Sequence, residues 1–430
     1  MITNDARSRN PEPANDPKLW QGLRAQMMLD PEIINLNTGS FGPLPFVVFE
    51  RATEIRRMLA AEPTHFFVRQ SPPLLWNARE RLADFLGSTP QRLVFTTNVS
   101  AAINLVASGL TLGSPGEILL TDHEYGAMHW CWDRAARRQG LTLRTFPLPT
   151  LATDPAEIVE AATRAMNART RLFFFSHVLS PTGLVLPAHE LCAAARRRGI
   201  VSVVDGAHAP AMIPLNVSEV GADFYTGNCH KWLLAPSGTG FLIVGPGHED
   251  RLQPLHVSWG YHVEQSPLAD GAMALRDPNK ADAFGSTPRT RFLEFEGTRD
   301  ICPWLATPMA IQFQSEIGFE KIRTRIAELV RYTRGTIGGL GLSLATPEDR
   351  RLSGSLTAFN LPISGLVAAN RLRAAIWKHK IEVPIIERPD RLMIRVSTHF
   401  YNTTEEIDRL ADVLPGAIRE ATANTPVGRE

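Results

Sequence analysis

The chain has 430 residues, 44% hydrophobic and 21% charged, which is ordinary for a globular protein and ample for a large core. Its 45 basic and 44 acidic residues balance to a net charge of +1, so composition gives no support for nucleic acid or an anionic membrane as a partner. Cys131, Cys192, Cys229 and Cys302 form no C-x-x-C pair, no run reaches the ~18 apolar residues of a membrane span, and the polar stretch 1–17 has no apolar signal-peptide core. No metal is expected, and a reducing, cytoplasmic setting is the default.

Residues 1 to about 16 are expected to be mobile or loosely docked. A short helix is predicted from Pro17 to Leu29, then an extended piece, Ile33-Ile34-Asn35-Leu36, leading to Asn37-Thr38-Gly39-Ser40. Gly39 and Gly42 permit close backbone approach, either to a ligand or in a plain turn. Helices are predicted over Pro45–Ala61 and Leu74–Leu86, the latter closed by Gly87. Leu93-Val94-Phe95 reads as a strand. It is followed by Thr96-Thr97-Asn98-Val99-Ser100 and a helix, an arrangement that can hold an anion on free N–H groups or simply cap the helix.

Glu117–Thr121 is the next strand and ends at Asp122-His123-Glu124-Tyr125. Strand, helix and strand follow at Leu141–Phe146, Pro155–Met166 and Thr170–Phe175, and then the segment Ser176 to Gly183. A helix over Leu186–Arg198 precedes the strand Ile200–Val204, which delivers Asp205 and, after it, Gly206-Ala207-His208. This alternation argues for a mostly parallel sheet covered on both faces, with any ligand beyond the C-terminal strand ends. Thr97, Tyr125, Ser180, Asp205 and Lys231 all fall at or just beyond such ends, and this clustering argues for one site.

Lys231 lies in Tyr225-Thr226-Gly227-Asn228-Cys229-His230-Lys231-Trp232, between the strand Asp223-Phe224-Tyr225 and the Gly-rich turn Pro236 to Gly240. Most lysines are solvated surface residues. Apolar and small residues surround this one, and a desolvated lysine has a lowered pKa and more of the free amine that attacks carbonyls. A strand ending in Asp followed by a strand-loop-Lys is a recurrent geometry for pyridoxal phosphate (PLP): the Asp pairs with the pyridine nitrogen and the Lys carries the aldehyde as an imine.

Asp205-Gly-Ala-His208 together with Asn228-Cys-His230-Lys231 resembles the class V aminotransferase group of fold-type I PLP enzymes. The isopenicillin N epimerase-like branch is the nearest likeness, through Leu36 to Pro43, Asp122 to Ala127 and Phe295 to Asp300. The likeness runs from about Asn35 to about Leu414. It implies an α/β fold-type I architecture with a mostly parallel, seven-stranded-type sheet and a smaller α+β C-terminal domain. The expected division is an arm and helix at 1–30, a PLP-binding domain at 31–317 and a small domain at 318–430.

The resemblance also implies roles. Lys231 holds PLP and is the base at Cα, Asp205 meets the ring nitrogen, and His208 bonds or restrains the ring. Tyr125, or alternatively His123, stacks on it. Thr97, Asn98, Asn228 and His230 contact the phosphate, joined by Thr298 from the partner of a homodimer; a plain helix cap is the other reading of Thr298. Many relatives carry Asn where Ser180 falls, which leaves its bond to the ring oxygen open. Asn37, Ser40 and Arg395 face the substrate, Arg395 as the carboxylate fork.

The segment before Arg395 has no cysteine, so persulfide transfer of the cysteine desulfurase kind is not expected. Epimerisation, C–S lysis and transamination of an amino-acid substrate stay open, as does a catalytically silent scaffold. Downstream, Val257–Pro288 reads as a long irregular loop. Helices are predicted over Trp304–Ile317 and Gly318–Gly338. The small domain reads as a strand at Leu356–Leu361, a helix at Val367–His379, a strand at Leu392–Ser397 and a helix at Thr404–Glu420, with a disordered tail beyond Ala421.

Overall fold

The computed structural model describes residues 16–261, 277 and 279–423. The expectations placed on residues 1–15, on 262–276 and 278 of the long loop, and on the tail from 424 lie outside these.

Seven strands form the central sheet: β2 (Leu93–Thr96), β3 (Glu117–Thr121), β4 (Thr142–Phe146), β5 (Thr170–Ser176), β6 (Val201–Gly206), β7 (Phe224–Asn228) and β8 (Gly240–Val244); the two-residue β1 (Ile34–Asn35) lies apart from them. Their order is β2-β8-β7-β6-β5-β3-β4, with β8 antiparallel to both neighbours and the others parallel. Strands β6, β7 and β8 are buried along their whole length, as strands covered on both faces must be. Separate apolar clusters cover the two faces. Phe173, Phe175, Val204 and Tyr225 pack on one side, and Leu172, Phe174, Val203 and Phe224 on the other. Sequence order reverses between β3 and β5, the switch point at which open α/β sheets bind ligands.

The predicted elements recur with shifts of a few residues at their ends. The helix at Pro155–Ala165 is fixed by a capping box of Asp154 and Glu157, and the one at Thr404–Thr422 by Thr403 and Glu406. Several elements were not anticipated, two of them next to the site. The turn at Pro236–Gly240 feeds directly into β8, and a helix at Gly126–Gln139 follows Tyr125 and ends at Gly140, whose φ is 66°. That helix buries Met128 and Trp132 on one side, but its mixture of Arg, Gln, His and Trp masks the apolar stripe.

The smaller C-terminal part carries β9 (Leu356–Asn360), β10 (Ile381–Glu382), β11 (Ile385–Glu387) and β12 (Leu392–Ser397). Strands β11, β12 and β9 form an antiparallel sheet in that order, and β10 pairs in parallel with β1. Through this pairing the chain before Asn37 is tied to the C-terminal part, and a bridge from Asn37 to Ser397 at the end of β12 links it to the antiparallel sheet. The segment 37–43 is thereby laid across the C-terminal ends of the large sheet.

Candidate active site

A cavity of about 590 Å³ opens at those strand ends. It is lined by Ser40, Thr97, Asn98, Tyr125, Ser180, Asp205, His208, Asn228, His230, Lys231 and Arg395. The structure thus brings together residues from five strands and from the C-terminal sheet.

Strand β7 ends at Asn228 and places Lys231 on the cavity wall, its amine 3.2 Å from Nε2 of His208. Burial pushes the lysine down to about 7; the charge of Arg395 adds to this and Asp205 opposes it. His208 is held far below the usual imidazole range, first by burial and then by the positive charges of Lys231, Arg395 and His230, so its ring is neutral. Asp205 closes β6. It is buried, accepts a 2.8 Å bond from the Ala207 N–H, and has its carboxyl raised chiefly by burial. Among the described residues it is in no ion pair within 4 Å, so a buried carboxylate faces the cavity without a contacting cation.

Arg395 stands on β12, buried at 2% exposure. Its Nη1 donates to the Ser180 carbonyl at 2.7 Å and to Ser180 Oγ at 2.9 Å; its Nη2 reaches Asn37 Oδ1 and Ser40 Oγ, both at 3.4 Å. Each of these acceptors is neutral, and no carboxylate pairs with this guanidinium among the described residues. A buried cation that opens on a cavity without a counter-ion is an anion site. Ser180, whose bond to the ring oxygen the sequence left open, accepts from Arg395 through both its carbonyl and its Oγ. Gly39 and Gly42 approach the site's own residues closely: a Cβ on Gly39 would lie 2.9 Å from Ser397 Oγ and 3.3 Å from Arg395 Nη2, and one on Gly42 would lie 2.2 Å from the Lys231 carbonyl oxygen.

At the other end of the cavity the helix Val99–Gly109 begins. Asn98 caps it, accepting from Ala101 N at 2.9 Å, and Asn228 Oδ1 accepts from Val99 N at 2.9 Å. Both amides therefore hold the helix start in place, while Thr97 and Ser100 line the cavity beside it. His230 is buried, donates from Nδ1 to the Thr239 carbonyl at 3.3 Å and stacks on Phe41; burial, then the charge of Lys231, pushes it down to about 4.

Tyr125 and His123 part company. Tyr125 is 55% exposed and lines the cavity, whereas His123 is buried, with Nδ1 2.7 Å from Asp122 Oδ1, and lies off its wall. Thr298 lines a different, more apolar cavity of about 470 Å³ with Trp259, Phe284 and Trp304, so within one chain it does not join the others. Sequence reasoning missed Phe41, Ser176, Ser237 and Ile386 on the cavity wall, and Glu124 behind it. Glu124 is fully enclosed, bonded to Thr121 Oγ1 (2.6 Å) and to Ser176 N and Oγ (3.1 and 2.5 Å), and its carboxyl is pushed up to about 7 by burial, with Asp205 adding to the shift. Its neighbour Tyr125 drew the reading; a carboxylate at a strand end beside the ring site was the available signal.

A half-buried amine with a lowered pKa, a buried carboxylate without a contacting cation, an exposed aromatic and a hydroxyl-lined helix start are the parts that PLP requires, and these residues fit it. The fold and this site define a PLP-dependent enzyme of the fold-type I class. The Aminotransferase class-V family model matches residues 43–410, and the chain belongs to that family. It is 55% identical over 397 residues to an isopenicillin N epimerase of Streptomyces clavuligerus, covering 92% of this chain and 97% of that one. It is 52% identical over 400 residues to an isopenicillin N epimerase of Amycolatopsis lactamdurans, covering 92% and 98%. Among solved structures, a C-DES variant with glycine covalently linked to its PLP cofactor superposes with a TM-score of 0.77 at 23% identity, covering 93% of this chain and 98% of that one, a likeness of fold.

Proposed function

We propose that this enzyme inverts an amino-acid Cα, acting on isopenicillin N or a closely similar substrate. The observation that carries the reading is 55% identity to an isopenicillin N epimerase across 97% of that enzyme, combined with a lysine, a buried carboxylate and an uncompensated arginine on one cavity. Bound PLP supplies an electron sink for the carbon that loses its proton. Lys231 holds the cofactor and its Nζ takes the Cα proton; a pKa near neutrality suits a base working near neutral pH. Asp205 would keep the ring nitrogen protonated, His208 would restrain the ring, and Tyr125 would stack on it.

Thr97, the helix start at Asn98 and Asn228, and His230 hold the phosphate. Arg395, oriented by Ser180 and flanked by Asn37 and Ser40, binds the α-carboxylate. Inversion also needs a proton delivered to the opposite face, and of the lining residues Tyr125 carries the ionisable hydroxyl for it. The homodimer, with Thr298 closing the partner's phosphate site, the cytoplasmic setting and the division at residue 318 belong to the same proposal. Borohydride reduction and peptide mass analysis test the anchor: the cofactor mass is expected on the Lys231 peptide and absent in Lys231→Ala, which is expected to be inactive. A cofactor mass on another lysine, or normal turnover in Lys231→Ala, overturns the assignment.

A further inference from the structure

His208 touches Lys231 with one ring nitrogen and Trp232 with the other. The indole Nε1 of Trp232 lies 3.3 Å from His208 Nδ1, and His208 Nε2 lies 3.2 Å from Lys231 Nζ. An indole N–H can only donate. Nδ1 must therefore carry the lone pair, and a neutral His208 must carry its proton on Nε2, aimed at the lysine. That proton finds an acceptor only if Nζ is a free amine; an ammonium would set N–H against N–H. The opposite tautomer would offer the ammonium an acceptor and stabilise it. We infer that Trp232 is a positioning residue that locks His208 in the Nε2–H tautomer and thereby favours the free-amine form of Lys231.

The indole is built to hold this orientation. Trp232 is fully buried and stacks on His399, with centroids 6.0 Å apart and planes at 19°; His399 in turn stacks on Tyr401 at 5.3 Å and 6°. The Trp232 carbonyl accepts from Gln314 Nε2 at 2.9 Å and from His399 Nε2 at 3.1 Å, so the helix Cys302–Ile317 and the turn after β12 both fix the residue. The charged or titratable groups facing the lysine are Asp205 on β6, His208, His230 and Arg395 on β12, and none is removed when Trp232 is replaced.

The inference rests on Lys231 as the cofactor lysine, but its test does not need turnover. In the full chain freed of PLP, imidazole ¹⁵N shifts, with His208 assigned by comparison with His208→Gln, report the tautomer directly. Wild type is expected to show protonated Nε2 and unprotonated Nδ1. Trp232→Phe keeps a stacked ring and removes the donor. It is expected to show mixed tautomers and to raise the pH midpoint for PLP recapture by about one unit, the scale of a single hydrogen bond. Protonated Nδ1 in wild type overturns the proposal even if the variant fails to fold. So does an unmoved midpoint in a folded Trp232→Phe. A failed anchor test with the predicted tautomer intact would instead locate the error in the role of Lys231.

Discussion

Replacing Arg395 with lysine probes the substrate end of the site while keeping the charge. The guanidinium makes two bonds to Ser180 and two longer contacts to Asn37 and Ser40, and burial lowers it to about 10, so it remains charged at neutral pH. The bonds to Ser180 consume Nη1, which leaves Nη2, with only 3.4 Å contacts, as the edge for a carboxylate. A lysine ammonium reaching the same place cannot hold Ser180 and a planar carboxylate together in fork geometry. One charge-assisted bond lost is about 1.5–3 kcal/mol, which corresponds to a roughly 10- to 150-fold fall in kcat/KM, expressed mainly in KM if the carboxylate is held equally in ground and transition states. Steady-state kinetics of Arg395→Lys, with the visible PLP absorbance checked for unchanged cofactor content, reads this directly. Unchanged KM and kcat at full cofactor content would refute the carboxylate role.

The lysine site carries a stability signature once PLP is removed. The folded-state pKa of Lys231, about 7, lies below its unfolded value of 10.5, so the unfolded chain binds more protons between these limits and stability climbs with pH through that window. The cost of enclosing the amine is present in full below about pH 7. After discounting for its partial exposure to the cavity, cofactor-free Lys231→Met is expected to be more stable than wild type by about 1–3 kcal/mol at neutral pH. Denaturant titrations should show this gap closing toward pH 10.5, and a gap independent of pH would contradict it. Elsewhere, Arg79 forks onto Glu294 (3.1 and 2.5 Å) with both side chains buried, and the same carboxylate accepts from Phe95 N at 3.0 Å. Arg79→Ala strands that charge and is expected to cost about 3–5 kcal/mol in urea unfolding; a loss under about 1 kcal/mol would show that the pair is dispensable.

Much of this was legible because the parallel strands advertise themselves. Runs such as Leu172–Phe175 and Val201–Val204 are buried on both faces, so they are almost wholly apolar, Ser202 excepted, and they lead to Ser176 and Asp205 on the cavity wall. Asp205 could be named because it ends an apolar run, and Lys231 because small and apolar residues surround it; His208 and Arg395, the latter inside its strand, were named on the family resemblance. What sequence could not show was commitment. Asn98 and Asn228 each accept from the helix start through Oδ1, and Ser180 accepts from Arg395, second partners that no local pattern announces. The closeness of Gly42 to the Lys231 backbone, and of Trp232 to His208, arises where segments nearly two hundred residues and about two dozen residues apart are brought together by the sheet, and no local pattern encodes such pairings.

The central claim is inversion at Cα by a PLP enzyme, and the most direct measurement is incubation with isopenicillin N, and with a panel of amino acids and S-conjugates, in deuterated water, analysed by chiral chromatography and mass spectrometry. The account predicts deuterium at Cα together with inverted configuration and no loss of the side chain. Pyruvate and ammonia with a released thiol would establish a C–S lyase instead, and amination of an added keto acid would establish an aminotransferase; either result would contradict the epimerase reading.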